Sequence, residues 1–390
     1  MRALGLMSGT SLDGIDAALV EIAPRGSGYA LEVLRFQTYP FDDGVRAKLR
    51  AALPPAVPAP ADIVSLDREL GALFAQAAAT LAGGEPLDYI ASHGLTLFHR
   101  GRRCETMQIG DPYQLRDALE ASVVFDFRRA DCAAGGQGAP LVPFVDAMLF
   151  ASAEEDVVAL NLGGIANVTV LPRGQAATAA LAWDTGPGNM LIDGFVQRWT
   201  GGAERFDPNG SYAARGKTEA RVVRELVARE AFYLALPPPK STGRERFGLQ
   251  LLDDHADLFA SLSLEDACAT LCAFTVATIA DALDSYGPER ALVVASGGGT
   301  RNASLMALLR ERLEKAGSRL ITSDAYGIDT DAKEAIAFAV LGYETLRGRP
   351  ANVPRATGAS RPAVLGAIAP YALEAALAKM RAECLANGSG

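Results

Sequence analysis

Histidine is scarce, positive charge is outnumbered and long apolar runs are missing. Lys and Arg number 37 against 46 Asp and Glu, a net charge of −9 with a pI near 5.1. Binding along a phosphate backbone needs a basic face, so the charge balance disfavours nucleic acid as a main partner, and none is expected. An anionic ligand must then be held by backbone amides, a metal ion or a few local cations. No uncharged stretch reaches the roughly 18 apolar residues of a membrane helix, so no membrane partner is expected. "ALGLM" near the N-terminus is too short for the apolar core of a signal peptide, and carboxylates follow at once. The five cysteines, Cys104, Cys132, Cys268, Cys272 and Cys384, are odd in number and irregular in spacing. That fits a reducing cytoplasm better than a disulfide scaffold. Cys268 and Cys272 share a face of an expected helix, but with only three histidines in the chain they read as buried thiols rather than a metal pair.

What is present is 49% apolar and 21% charged residues over 390 positions, a globular composition for about two domains. The first half reads as strands "ALGLM", "DAALVEI" and "YALEVLRFQTYP", then a helix over 45–53. "PPAVPAP" breaks the chain, and Asp62 is placed to cap a long helix ending near "AGG". "DYIASHG" reads as a short buried strand, Pro112 as the first turn of a helix, and "SVVFDF" as the next strand. "AAGGQGAPLVP" (133–143) has the small residues and prolines of a hinge or domain crossover. The pattern then restarts with "DVVALNL", the tight loop "GGIAN", and strands "VTVLP" and "ALAWD". Two halves that each begin strand, polar turn, strand, strand suggest an internal duplication. Ser263 opens a capping box before the helix over 263–283. "RALVVASGGGTRNASLMALL" reads as strand, glycine turn and helix, and "DTDAKEAIAFAVLGYETL" as another helix. Strands alternating with helices give an α/β fold.

Four glycine-rich turns lie beside strands: "MSGTSLDG", "NLGGIAN", "WDTGPGN" and "SGGGTRN". Each alone reads equally well as an ordinary turn or as a ligand loop. Together, two strand–turn–strand loops can grip a polyphosphate, and a third glycine turn can lie flat against a base. Asp13, Asp184 and Asp16 can hold a metal ion or take a proton. Phosphoryl transfer requires that set. "RGKT" at 215–218 is no P-loop, because Ser211 stands where that motif needs glycine and no strand precedes it.

These segments match a known family in order and almost end to end. "GLMSGTSLDGID", "ASHGLTLFH", "MQIGDP", "DFRRADCAAGGQGAPLVP", "NLGGIANVT", "WDTGPGN", "PPPKSTGRERF", "VVASGGGTRN" and "DAKEAIAFAVLGYETL" resemble the anhydro-N-acetylmuramic acid kinases. That family lies within the superfamily of actin, sugar kinases and heat-shock chaperones. One departure is Leu95, where the family pattern more often has glutamine.

The resemblance implies a two-lobed, ribonuclease-H-like (actin-like ATPase) fold. Duplicated domains with mixed sheets flanked by helices would enclose a central nucleotide and sugar cleft. One lobe is expected from 1–140 with about 355–390, the other from 141–354. It implies conversion of 1,6-anhydro-N-acetylmuramic acid to N-acetylmuramic acid 6-phosphate, with ATP and Mg²⁺ as cofactors, water as co-substrate and a homodimer. By its motif Asp184 is the base that activates water, and it also meets the substrate. Gly9, Thr10, Ser11, Leu12, Asp13, Gly14, Ile15 and Asp16 would bind ATP, Gly9 to Asp13 cradling its phosphates, with Asp13 at the magnesium directly or through water. Asn161, Gly163 and Gly164 would form the opposing clamp. Gly297, Gly298, Gly299 and Asn302 would hold the adenosine. Arg128 and Glu334 would meet the sugar, Arg128 through its lactyl carboxylate.

Overall fold

The computed structural model describes residues 1–9, 12–25, 28–54 and 56–386. The chain divides into two compact units, Met1–Met148 with Gly327–Gly390, and Leu149–Tyr326.

The first unit is built on β1 (Arg2–Ser8), β2 (Gly14–Arg25), β3 (Gly28–Pro40), β4 (Tyr89–Arg100), β5 (Glu105–Ile109) and β6 (Val123–Phe125). Its sheet runs from a late strand, Ala367–Ala369, through β6, β4, β1 and β2 to β3, with β5 folded back on β4. β1, β2 and β3 form an antiparallel meander, while β4 and β6 run parallel to β1. β1 is central and covered on both faces, which is why it reads as a near-continuous apolar run. β3 lies at the edge and exposes Ala30, Glu32, Arg35 and Gln37. Alternation along β1 divides its side chains between the two faces. Leu4 and Leu6 join Leu66, Leu70 and Phe74 of the helix Pro60–Ala82 in one core. The opposite face takes the helix Lys333–Leu346, and the Tyr89 hydroxyl at the start of β4 donates to the Ala339 carbonyl at 2.8 Å.

The second unit holds β7 (Val157–Leu162), β8 (Ile165–Leu171), β9 (Leu181–Pro187), β10 (Leu292–Ser296) and β11 (Arg319–Thr322), in the order β11-β10-β7-β8-β9. Again the first three strands are antiparallel and the last two run parallel to the first. With β5 set aside as a hairpin arm and the late strand Ala367–Ala369 as an antiparallel edge addition, both units share one strand order and one set of directions. This is the duplicated ribonuclease-H-like, actin-like order, and the repeat survives in topology where the two halves share little sequence. The helix Leu264–Tyr286 is long and apolar enough to cross a membrane, yet 78% of its most apolar window is buried within the protein. Ser263 caps it through Asp266 N, and its own Cys268 and Cys272 are buried in the core.

Four local expectations need correction. The helix Lys333–Leu346 belongs to the first unit, where it packs on β1, β2 and β4, and not to a second lobe over 141–354. The segment 133–143 is not itself the crossover, which falls between Met148 and Leu149, and its middle is tied within the first unit. The Gly138 amide donates to Asp131 Oδ2 at 2.8 Å, the Gln137 amide to the Thr357 carbonyl at 2.8 Å and the Gly136 amide to the Asp131 carbonyl at 2.9 Å. Asp62 does not cap its helix, which starts at Pro60 after Ala59. "DYIASHG" is only the first part of β4, which runs on to Arg100 because β5 pairs with its second half.

Candidate active site

The first glycine turn joins β1 to β2. Thr10 and Ser11 lie outside the described residues. The Leu12 amide donates to the Gly9 carbonyl at 3.2 Å, and Ser8 Oγ donates to the Gly14 carbonyl at 2.8 Å. The side chains of Leu12 and Ile15 belong to the core, so only their backbone remains for a ligand. Gly14 is already inside β2, paired with Pro40. Asp13 is exposed. Asp16 Oδ1 accepts from Thr38 Oγ1 at 2.6 Å. Burial pushes the Asp16 carboxyl up to about 6; the Thr38 hydroxyl opposes this, and the charges of Glu334, Asp331 and Asp13 add to it. Among the described residues no group of three or more His, Cys, Asp and Glu side chains has a metal-holding arrangement. Mg²⁺ is commonly held by one or two carboxylates together with substrate phosphates and water, and the exposed Asp13 beside a phosphate-type turn fits that donor set.

Arg128 and Glu334 belong to this same unit. Glu334 lies in the first turn of its helix. Burial raises its carboxyl, with Lys333 and Arg128 pulling the other way. No direct ion pair joins Arg128 to Glu334; Arg128 donates to His93 Nε2 at 2.9 Å and to the Gly138 carbonyl at 2.8 Å. Both acceptors are neutral, so the guanidinium charge is not spent on a structural carboxylate.

His93 was not assigned a role from sequence. Its place follows from a bulge in β4. Leu6 pairs with Ser92 and Ser8 with Leu95, so β4 carries one extra residue there. Gly94 takes a φ of 70°, and a Cβ on it would strike the Ile109 carbonyl of β5. Gly94→Ala is therefore expected to cost at least about 2 kcal/mol, since left-handed strain alone is worth about 1–3 kcal/mol. Chemical denaturation checks it; a midpoint equal to the parent's would mean the bulge is not obligatory.

In the second unit the remaining glycine turns come together. The amides of Gly188 and Asn189 donate to the carbonyls of Gly164 and Gly163, each at 2.9 Å, which ties "WDTGPGN" to the β7–β8 turn. Gly297, with φ 89°, and Gly299 lie against the end of β7, where a Cβ on either would sit 2.8 Å from the Leu162 carbonyl oxygen. Asn161 Oδ1 meets the same turn beside Gly297. Gly298 opens the short helical turn Gly298–Arg301. Asn302 has structural work: Oδ1 caps the helix Ala303–Lys315 through Leu305 N at 2.9 Å, and Nδ2 points to Cys272 Sγ at 3.8 Å.

Asp184 sits on β9 at a second bulge, where Ala166 pairs with Gly186 but Asn167 pairs with Asp184. The loop 236–247 fastens it. The Asp184 amide donates to the Lys240 carbonyl at 3.0 Å, and the Thr242 amide donates to Asp184 Oδ2 at 2.8 Å. The Tyr233 hydroxyl donates to the Asp184 carbonyl at 2.9 Å. Among the described residues no donor reaches Oδ1. Burial pushes the Asp184 carboxyl up to about 7; the Thr242 amide and Lys240 pull it down, and Glu245 adds to the rise. Lys240 is itself buried, with Nζ donating to the carbonyls of Tyr233 and Leu234 at 3.2 and 2.9 Å. A half-buried carboxylate with one oxygen fixed, the other open and a titration near neutrality is equipped as a general base.

Two topologically repeated α/β units, glycine turns beside their central strands and a base-type carboxylate define a kinase of the actin-like ATPase class. The sequence model of the family described as anhydro-N-acetylmuramic acid kinase matches residues 1–371, and the chain belongs to that family. Curated relatives bearing the same description agree. One from Streptomyces avermitilis is 44% identical over 377 residues, covering 95% of this chain and 94% of that relative. One from Caldanaerobacter subterraneus subsp. tengcongensis is 40% identical over 385 residues, covering 94% of this chain and 96% of the relative. Among solved structures, the activator of the 2-hydroxyisocaproyl-CoA dehydratase from Clostridium difficile with bound ADPNP aligns at 11% identity. Its TM-score is 0.43, over 87% of this chain and 93% of that chain, too loose a likeness to bear on the site.

Proposed function

We propose that the protein is an ATP-dependent kinase that hydrolytically opens 1,6-anhydro-N-acetylmuramic acid and phosphorylates its 6-oxygen, giving N-acetylmuramic acid 6-phosphate and ADP. The observation that carries this reading is Asp184, with Oδ2 held by the Thr242 amide, Oδ1 open and its carboxyl near 7. An ordinary sugar kinase deprotonates a hydroxyl. In the anhydro sugar the 6-oxygen is bonded to the anomeric carbon and has no proton to lose. Water must supply the nucleophile. Asp184 Oδ1 takes a proton from that water as its oxygen bonds to the anomeric carbon. The bond from that carbon to the 6-oxygen breaks, and the 6-oxygen takes the γ-phosphoryl as ADP departs. A general base of this kind contributes about 10² to 10⁴ in rate, or roughly 3–5.5 kcal/mol at about 1.4 kcal/mol per decade.

The remaining roles follow from chemistry. The backbone of Gly9 to Asp13 would hold phosphates, the Asn161–Gly164 turn would also contact them, and Gly297–Gly299 would take the adenosine. Asn302 would act there only by capping the helix that follows. Arg128 would meet the lactyl carboxylate, and Glu334 would accept from a sugar hydroxyl. Asp13, with Asp16 behind it, would hold Mg²⁺, which neutralises the triphosphate when bound. Asp184 belongs to one unit and Asp13, Arg128 and Glu334 to the other. A homodimer follows the family resemblance. The five free thiols support a reducing cytoplasm.

The test is ADP release with ATP and each of four acceptors: the anhydro sugar, free N-acetylmuramic acid, a free hexosamine and acetate. Turnover is expected with the anhydro sugar alone, with ATP hydrolysed far more slowly without it. EDTA should abolish turnover and Mg²⁺ restore it. Equal turnover on free hexosamine or acetate would overturn the substrate assignment, and turnover indifferent to EDTA would overturn the metal.

A further inference from the structure

We propose that His93 is a positioning residue: it fixes the guanidinium of Arg128, from a bulge in β4, in the orientation that receives the carboxylate of the sugar. The inference rests on the reading of Arg128 as the partner of that carboxylate.

The extra residue in β4 re-aims the side chain before Gly94, as bulges beside functional sites do. His93 is only 3% exposed. Its ring packs on Phe338, with centroids 4.5 Å apart and planes 33° from parallel, so the plane of the imidazole is set by the helix Lys333–Leu346. Nδ1 faces the Gly94 carbonyl at 3.0 Å. A carbonyl can only accept, so Nδ1 carries the proton. Nε2 then offers its lone pair, and Arg128 Nε donates to it at 2.9 Å. The tautomer is thus dictated by the strand's own backbone. Burial and the positive charge of Arg128 both hold the imidazole well below its ordinary titration range, which keeps that lone pair available.

The other side of Arg128 is equally determined. Nη1 donates to the Gly138 carbonyl at 2.8 Å, and Gly138 is held in turn by its own amide on Asp131 Oδ2. With Nε and Nη1 both engaged, the guanidinium can neither rotate nor withdraw. Among the described residues Nη2 has no acceptor. That nitrogen, with the second N–H of Nη1, forms one edge of the planar fork suited to a carboxylate. A flexible arginine would have to order itself on binding, at a cost in affinity. His93 removes that cost beforehand.

The experiment compares His93→Phe, which keeps the packing on Phe338 but has no acceptor, with His93→Gln, whose side-chain oxygen can replace Nε2. Each is assayed on 1,6-anhydro-N-acetylmuramic acid and on 1,6-anhydro-N-acetylglucosamine, which lacks the lactyl carboxylate. His93→Phe should raise KM for the carboxylate sugar about tenfold or more, with kcat within about threefold. KM for the second sugar should stay within about twofold, and His93→Gln should recover most of the loss. An unchanged KM in His93→Phe, an equal rise for both sugars, or no recovery in His93→Gln would each overturn the proposal. Arg128→Ala separates the two layers. If it leaves KM for the carboxylate sugar unchanged, the reading of Arg128 itself has failed. If it raises that KM while His93→Phe does not, only the role of His93 falls.

Discussion

Asp184→Asn is expected to lower kcat by at least about two decades while nucleotide affinity stays within about twofold. Asparagine keeps an oxygen for the Thr242 amide but cannot take a proton from water. Single-turnover ADP formation and a nucleotide titration check both halves. Full activity in the variant would remove Asp184 from the mechanism. The same residue sets a pH signature. Its carboxyl lies near 7, and the base form is the ionised one. kcat/KM of the parent should therefore climb through about pH 7 and level off above it; a flat profile between pH 6 and 8 would contradict this.

The stability consequence has the opposite direction. A carboxyl raised above its ordinary 3.8 binds more protons in the folded than in the unfolded chain between those two values. Its contribution is full below about pH 4 and is lost as pH rises through about 7. Asp184→Asn escapes that loss. The variant should be more stable than the parent at pH 8, on the order of 1–3 kcal/mol after allowance for partial exposure. The gap should close as pH falls toward 4. An inactive variant that is also less stable at pH 8 would indicate lost structure rather than a lost base.

Asp131→Ala should be the most damaging single change to the fold. The buried carboxylate accepts from the Gly138 amide at 2.8 Å, Asn352 Nδ2 at 2.7 Å and Thr357 Oγ1 at 2.8 Å. Alanine leaves three buried donors without an acceptor, at about 1–3 kcal/mol each. A loss of at least about 3 kcal/mol is expected. At roughly 1 °C per kcal/mol for a chain of this length, Tm falls by about 3 °C or more. KM for the sugar should rise as well, because the Gly138 carbonyl holds Arg128. Asp131→Asn keeps an acceptor and should lose less. A calorimetric Tm within about a degree of the parent would show that something else pins the loop.

Much of this protein is local and therefore legible in its sequence. Apolar runs at β1 and β7, the cap at Ser263, proline at position 112 and the glycine turns each depend on residues a few positions apart. So does the repeated strand–turn–strand opening of each half, and with it the duplicated sheet. The motif around Asp184 singled out the carboxylate proposed as the base.

What stayed hidden depends on partners far along the chain. The helix Lys333–Leu346 has the apolar pattern of any core helix, and nothing in it says which sheet it will cover. Residues 133–143 have the composition of a hinge, and only Asn352 and Thr357, more than two hundred positions away, make Asp131 the anchor of a fixed loop. "ASHGLT" reads as plain strand until pairing with β1 forces an extra residue into β4 and aims His93 at Arg128. Asn302 looked like one more turn residue beside a nucleotide, but its side chain caps a helix. Asp184 is a candidate base from its motif alone, but its titration near 7 comes from burial beneath the loop that carries Lys240 and Thr242. Sequence order sets the conformation of each short stretch, because the steric and hydrogen-bonding terms behind it act over a few residues. Burial, the side-chain partners and the charge states that make a carboxylate a base come from surfaces that meet only once the chain has folded.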